Sequence, residues 1–332
     1  MALYALDDID DAISATRAFL TPLNLNRWAK LALVVFFIGG AGGMNPLQFS
    51  GGTPTGTGSE MPNVPNASDE ILAIGGPELA VIAGIISLIG VLILGFMIVG
   101  SIMEFVFVES LRQEEITIRH YWGEYWKPGL RLFGFRLLLG IVSIGIIGSV
   151  LVAALGPVLF GDGTPSFGLL FLAIPIFFLI AIVSGLLNGF TTAFVVPIML
   201  LEDRGLLASW RRFWPTMTGQ WKQYLAYAIG AFVLQIAGGL AATIVTLFVA
   251  VMIAIPLGII GLIGFELLSI LSVAGWVIIG IAVVLFVIAL IILSLFISVP
   301  IKTFLRYYAL LVLGDTNEAF DVVAERRQTI RE

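Results

Sequence analysis

Few ionisable residues lie inside the long apolar runs of this sequence, and those few lie near the ends of the runs. Glu104 stands near the end of one run and Arg136 at the start of the next, which makes them a candidate ion pair between adjacent helices. Charges deep in a membrane usually mark ion or proton coupling, because they are expensive to keep there. Near the end of a run, a long side chain can instead reach the interface. The pattern gives little support for such coupling.

Uncharged polar residues are found in the middle of two apolar runs, and they allow two interpretations. They can hydrogen-bond between packed helices, which is the commoner role of such side chains. They can also line a path for a lipid-like or small neutral solute. The candidates for this polar path are Asn188, Thr191, Thr192 and Gln235.

Side chains that would support catalysis or metal binding do not occur in recognisable patterns. The chain has no cysteine and a single histidine, His120, which excludes thiolate metal sites and makes a histidine cluster impossible. No Ser stands in a nucleophile elbow, and no phosphate-binding loop is present. We therefore expect no catalytic, cofactor-binding or metal-binding residues, and a protein that is not an enzyme. A net charge of −5 argues against a nucleic-acid partner.

The composition indicates that lipid is the main solvent of this chain. Hydrophobic residues make up 59% and charged residues only 12%, and the mean hydropathy is +1.06. A soluble domain carries about 25% charged residues, because its surface must be solvated. Several apolar runs exceed the roughly 20 residues that a helix needs to cross a bilayer. The expected fold is an all-α, polytopic transmembrane helical bundle.

The distribution of Lys and Arg predicts how the chain crosses the membrane. All 17 basic residues fall within 17–30, 112–136, 204–222 and 302–331, and the intervening polar stretches 43–77, 161–166 and 258–269 contain none. Because Lys and Arg accumulate on the cytoplasmic side, this partition predicts an even number of crossings between groups. We expect six spans in the cell membrane with both termini cytoplasmic, at 29–49, 79–108, 135–158, 168–199, 224–256 and 270–300.

The segment Tyr224–Pro300 and the loop 43–77 need to be interpreted separately. Tyr224–Pro300 is long enough for two spans or, tightly, for four short ones, and Pro256 with the glycines after it is typical of an outer turn. The loop 43–77 is rich in Gly, Pro, Thr and Ser, which predicts a flexible extracellular segment. It contains Asn66-Ala67-Ser68, which is either an N-glycosylation acceptor or a chance triplet.

A recurring pattern suggests that one membrane domain, 1–332, is built from three repeats, 1–108, 109–201 and 202–308, closed by a cytoplasmic helix in 309–332. Each repeat has a short amphipathic helix, a proline expected to stop it, a basic or aromatic anchor and an apolar hairpin. We expect these helices to lie at the cytoplasmic interface, against the membrane or neighbouring spans. Their candidate lipid or partner contacts are Trp122, Trp126, Trp210, Arg211, Arg212 and Trp214.

One passage carries a family resemblance. Val195–Asp203, read "apolar, Pro, apolar, acid", is followed by Leu207-Ala-Ser-Trp-Arg-Arg-Phe-Trp214. In this passage the chain resembles the prokaryotic group that contains the membrane domain found beside glycerophosphoryl diester phosphodiesterases. In its acidic ends, its acidic outer loop and its lack of cysteine, this chain is similar to haloarchaeal members of that group. In that group the chemistry belongs to a separate soluble domain, so the resemblance implies a helical membrane architecture and no enzyme activity.

Two function classes follow from these observations. The first is a non-catalytic membrane scaffold or partner subunit that engages lipid headgroups, another membrane protein or itself through its cytoplasmic-face helices. The second is a transporter or channel that uses the polar path. The sequence identifies no ligand, no partner and no oligomeric state.

Overall fold

The computed structural model describes residues 4–21, 24–42, 76–159 and 166–331, which form helices and short connections. Asn66 and nearly all of the predicted outer loop lie outside these residues. The helices are α1 (Tyr4–Leu20), α2 (Leu25–Gly42), α3 (Gly76–Arg112), α4 (Ile118–Glu124), α5 (Trp126–Leu159), α6 (Phe167–Phe190), α7 (Val196–Glu202), α8 (Leu206–Gly219), α9 (Trp221–Leu267), α10 (Ser272–Thr316) and α11 (Ala324–Arg331). A π-helical segment, Thr191–Val195, joins α6 to α7, and a 3-10 turn, Glu318–Phe320, precedes α11.

Five helical segments among the described residues are long and apolar enough to cross a membrane. They are Ala80–Arg112, Trp126–Pro157, Phe167–Glu202, Trp221–Leu267 and Ser272–Thr316. Most of the large apolar side chains in their middle parts are exposed, as expected of helices solvated by lipid. The first predicted span, 29–49, coincides with α2 as far as residue 42 and then leaves the described residues.

The predicted outer turn at Pro256 is wrong. Pro256 lies inside α9, whose 47 residues run unbroken to Leu267, and the turn to α10 follows at 268–271. A helix is retained here because hydrocarbon offers no other hydrogen-bond partner to the backbone, so proline and glycine are tolerated within apolar helices. The structure thus has two long helices, and not four short ones, in 224–300.

One of the prolines expected to stop the short inner helices does not do so, while α4 ends at Glu124, before Pro128. Pro215 lies within α8, which continues to Gly219. Pro128 belongs to the first turn of α5, where a proline loses no helical hydrogen bond. The expected closing helix is also divided, into the 3-10 turn and α11.

Contacts divide the chain into two compact units. Unit 1 comprises 1–36, 103–128 and 189–332, and unit 2 comprises 37–102 and 129–188. In unit 1, the Phe194 ring packs 5.4 Å from Phe213, 5.1 Å from Tyr224 and 4.8 Å from Tyr227. Tyr227 extends this aromatic core to Tyr308, 5.1 Å away. The core therefore joins the π-helical segment, α8, the start of α9 and the end of α10.

Unit 2 contains the part of α3 up to Ile102 with most of α5 and α6. A Cβ added to Gly129 would lie 2.9 Å from the Cα of Ile102, so α5 and α3 approach too closely for any larger residue. The hydroxyl groups of Ser143 and Ser184 lie 2.9 Å apart and join α5 to α6. Small residues and hydroxyl pairs of this kind are typical of helix packing in lipid.

Candidate functional site

Helix α8 has two faces with different environments. Leu206, Ser209 and Phe213 are buried in unit 1, whereas Leu207 is 75% exposed and Trp214 is 55% exposed. Arg211 is exposed between these two apolar residues. Leu207, Arg211 and Trp214 follow one another at four- and three-residue spacing, which places them on one side of a helix. The inward face packs α8 against unit 1, and the outward apolar residues are left largely uncovered.

The start of α9, directly after α8, also carries an exposed aromatic residue next to a basic one. Trp221 is 56% exposed, and the Nζ atom of Lys222 lies 5.9 Å from the centre of its ring. We name Leu207, Arg211, Trp214, Trp221 and Lys222 the aromatic–basic strip. Tryptophan and basic side chains together are typical of helices at a membrane interface, where the ring is half-buried and the cation meets phosphate.

Two of the predicted contact residues on α8 also make contacts within unit 1, although the side chain of Arg212 is 50% exposed. Trp210 donates a hydrogen bond from Nε1 to Oγ1 of Thr191, at 3.2 Å. Arg212 donates from Nε to Glu202, at 3.3 Å, and its guanidinium lies 5.5 Å from the centre of the Phe320 ring. These two residues hold α8 against α7 and the π-helical segment, and Trp214 and Arg211 remain available at the surface.

The other predicted aromatic pair comes together at the junction of α4 and α5. The rings of Trp122 and Trp126 lie 6.4 Å apart, and Trp126 is 46% exposed. These two residues therefore form a second exposed aromatic patch on unit 1.

A buried polar centre lies near the C-terminal end of α10. Arg306 and Glu104 form an ion pair, and both side chains are less than 10% exposed. Arg306 also donates from Nη1 to the carbonyl oxygen of Thr192, at 2.6 Å. Because a π-helical turn disturbs the regular hydrogen-bond ladder, it makes a backbone carbonyl available to an outside donor. One guanidinium thus joins α10, α3 and the π-helical segment.

The residues of the predicted polar path have different environments. In unit 2, Asn188 accepts a hydrogen bond from Nε of buried Arg136, at 3.2 Å. In unit 1, Thr191 accepts the bond from Trp210, while Gln235 is exposed on α9. Asn188 and Thr191 thus make hydrogen bonds between helical segments, which was the first of the two interpretations of these polar residues. The predicted pair of Glu104 with Arg136 joins residues of different units and stays a prediction.

Sequence reasoning missed a carboxylate cluster around Arg331. Arg331 donates to Asp8 at 2.9 Å, to Asp11 at 2.7 Å and to Asp315 at 2.7 and 3.0 Å. A cavity of about 390 Å³ adjoins it, lined in part by Tyr4, Asp7 and Glu318. The sequence does show an acidic segment near the N-terminus and arginines near the C-terminus. These two segments are far apart in sequence, so their contact could not be predicted.

Residues 3–323 match the sequence profile of a family of unknown function, DUF7544. The chain belongs to this family. Comparison with curated proteins and with solved structures gives no significant match. The matched region includes the aromatic–basic strip and the buried polar centre, and it ends just before α11.

Proposed function

We propose that this family member is a non-catalytic, multi-pass protein of the cell membrane that acts as a scaffold or partner subunit by engaging lipid headgroups at its cytoplasmic face. In this proposal the chain crosses the membrane six times, with α2 as part of the first span, and both termini lie in the cytoplasm. The segregation of all basic residues supports that orientation.

The observation that carries the proposal is the outward face of α8. It exposes Leu207 and Trp214 on either side of Arg211, immediately before a helix long enough to span the bilayer. A helix with apolar and basic residues on its free face binds at the headgroup level by burying apolar area and by attraction to anionic lipid. Each cation near an anionic surface contributes about 1 kcal/mol.

The test compares bound lipid after mild extraction. We expect the unchanged protein to retain anionic phospholipid, measured by mass spectrometry of the intact complex. Removing both strip cations in Arg211→Gln/Lys222→Gln lowers the retained anionic lipid by on the order of tenfold, since two favourable charge interactions are lost. The matched control is Arg17→Gln, which removes an exposed cation of α1.

Four outcomes decide between the alternatives. A lone monomer without bound lipid contradicts the proposal, and so does equal lipid retention by the double variant and the unchanged protein. A protein that co-purifies in place of lipid, and is lost in the double variant, identifies the strip as a surface for another membrane protein. Flux through reconstituted vesicles that Asn188→Leu abolishes would support the transporter hypothesis instead.

A further inference from the structure

Helix α11 is attached to unit 1 in an unusual way. It has eight residues, none of which is buried. Isolated helices shorter than about 12–15 residues are marginal in water, and little apolar burial holds this one. The position of α11 therefore depends on its polar contacts.

Those contacts are formed by three arginines and by carboxylates from other parts of unit 1. Arg331 binds Asp8 and Asp11 of α1 and Asp315 of α10. The remaining ion pairs of α11 are Arg326 with Glu114 and Arg327 with both Asp315 and Asp321. The N-terminal helix, the end of α10 and the C-terminal helix are thus joined by guanidinium groups.

We propose that α11 is an electrostatic strap, which closes on α1 and the end of α10 through arginine–carboxylate contacts and opens as salt concentration or pH rises. This device goes beyond the proposed lipid-binding function and does not depend on it. Opening uncovers a carboxylate surface on unit 1 that is neutralised by arginine in the closed state.

Salt acts on the strap because its contacts reach the surface. The Arg331 side chain is 40% exposed and that of its partner Asp11 is 25% exposed, so their ion pair is the one most open to screening, whereas Asp8 is buried. Ion pairs in contact with solvent are screened, and the screening length falls from about 10 Å at 0.1 M salt to about 3 Å at 1 M. Because α11 has no buried apolar residue to hold it when the ion pairs weaken, it separates before the rest of unit 1 unfolds.

The pH dependence comes from Asp8, which is completely buried in the closed state. It faces Asp11 on its own helix, Asp315 and Tyr308 on α10 and Arg331 on α11. Burial, followed by the charge of Asp315, raises the pKa of Asp8 from 3.8 to about 8. A carboxyl group with a raised pKa favours the closed state fully below its solvated pKa, and this contribution is lost as pH rises through 8.

The pKa values of two further groups, Asp321 and Arg331, are also shifted in this cluster. Burial raises the pKa of the Asp321 carboxyl, which Arg327 and Arg331 partly counteract. Hydrogen bonds to Asp315 and Asp11 raise the pKa of Arg331, which stays a cation throughout. Below the raised pKa of Asp8, this residue is a neutral carboxyl that accepts a hydrogen bond from Arg331, so the closed state is expected to be most populated at mildly acidic pH.

The experiment measures the distance between α11 and α1 by pulsed electron paramagnetic resonance. Nitroxide labels are placed at Gln328→Cys and Ser14→Cys, both exposed positions in a chain without cysteine. We expect one narrow distance at about 0.1 M salt and mildly acidic pH. A second, longer distance should grow on raising salt to about 1 M or pH to about 9.

Variants separate the strap from a general loss of structure. Arg331→Gln should raise the open population about tenfold at low salt, because it removes several charge-assisted hydrogen bonds. Arg119→Gln, at an exposed arginine of α4, should leave it unchanged. A second label pair, at Glu124→Cys and Ala208→Cys, reports whether unit 1 stays folded.

The outcomes are unambiguous. Growth of the long distance in the first pair, with the second pair unchanged, supports the strap. A single distance that persists in Arg331→Gln and in the unchanged chain at high salt and high pH overturns it. If Arg331→Gln does not fold, the salt series on the unchanged chain decides. Simultaneous broadening of the distances in both label pairs in that series also overturns the strap.

Discussion

At the scale of single residues, a buried ion pair lies near the C-terminal end of α10. Arg306 meets Glu104 and the carbonyl of Thr192, and both charged side chains are buried. Such a pair gains little over a well-packed apolar core, but losing one partner leaves a charge without compensation. The pair is therefore a requirement of unit 1 and no evidence of ion coupling.

We expect Glu104→Met to lower the free energy of unfolding by about 3–5 kcal/mol, because Arg306 would remain as a buried cation without its carboxylate. The measurement is detergent-induced unfolding in mixed micelles. The double variant Glu104→Met/Arg306→Met should be more stable than the single one, since it leaves no guanidinium at this position.

The matched control for this prediction is the same substitution, Glu124→Met, on α4. Glu124 has a side chain that is 54% exposed. A change within about 0.5 kcal/mol is expected there, as at most surface positions. Equal losses at Glu104 and Glu124 would contradict a buried, structurally required pair.

At the scale of secondary-structure elements, the α9–α10 hairpin depends on glycines that face each other near its turn. A Cβ added to Gly275 would lie 2.7 Å from the carbonyl oxygen of Gly264. Since that oxygen belongs to the backbone, the two helices would have to separate. The two helices are thus closely packed directly beside the turn at 268–271.

We expect Gly275→Ala to destabilise the hairpin by about 1–3 kcal/mol, the usual cost of overpacking. Gly280→Ala, on the same helix, is the control, because nothing lies within 4 Å of an added Cβ there. Alanine is the better helix former by up to about 1 kcal/mol, so this variant should be neutral or slightly stabilised. Comparable melting temperatures for the two variants would disprove the close approach.

At the scale of the whole molecule, the decisive question is which side of the membrane each polar segment faces. We expect a thiol-reactive, membrane-impermeant reagent to label Arg119→Cys and Arg211→Cys from the cytoplasmic side only. Thr57→Cys should react from the outer side only. These expectations follow from the accumulation of Lys and Arg on the cytoplasmic side.

The experiment has a clean background, because the parent chain contains no cysteine and should not react at all. Labelling in intact cells is compared with labelling in inverted vesicles. Reaction of Arg119→Cys and Arg211→Cys from opposite sides would rule out an even number of crossings between their two groups, and with it the six-span topology.

The sequence alone predicted the helical class and most of the long apolar helices, and for a physical reason. Hydrocarbon requires each backbone polar group to be satisfied within its own helix, so an uncharged run such as 137–160 has one available structure. The expectation that mid-span Asn188 and Thr191 serve helix packing also followed from this local argument. The strip residues Arg211 and Trp214 were named from composition and spacing alone.

Only the tertiary structure decided which polar groups meet. Arg306 pairs with Glu104 over 202 positions of sequence and Arg331 meets Asp8 over 323, separations at which spacing carries no information. Trp210 and Trp214 looked equivalent in sequence, but packing of α8 against Thr191 turned one inward and left the other exposed. Helix formation depends on neighbours along the chain, whereas these choices depend on which surfaces the folded chain brings together.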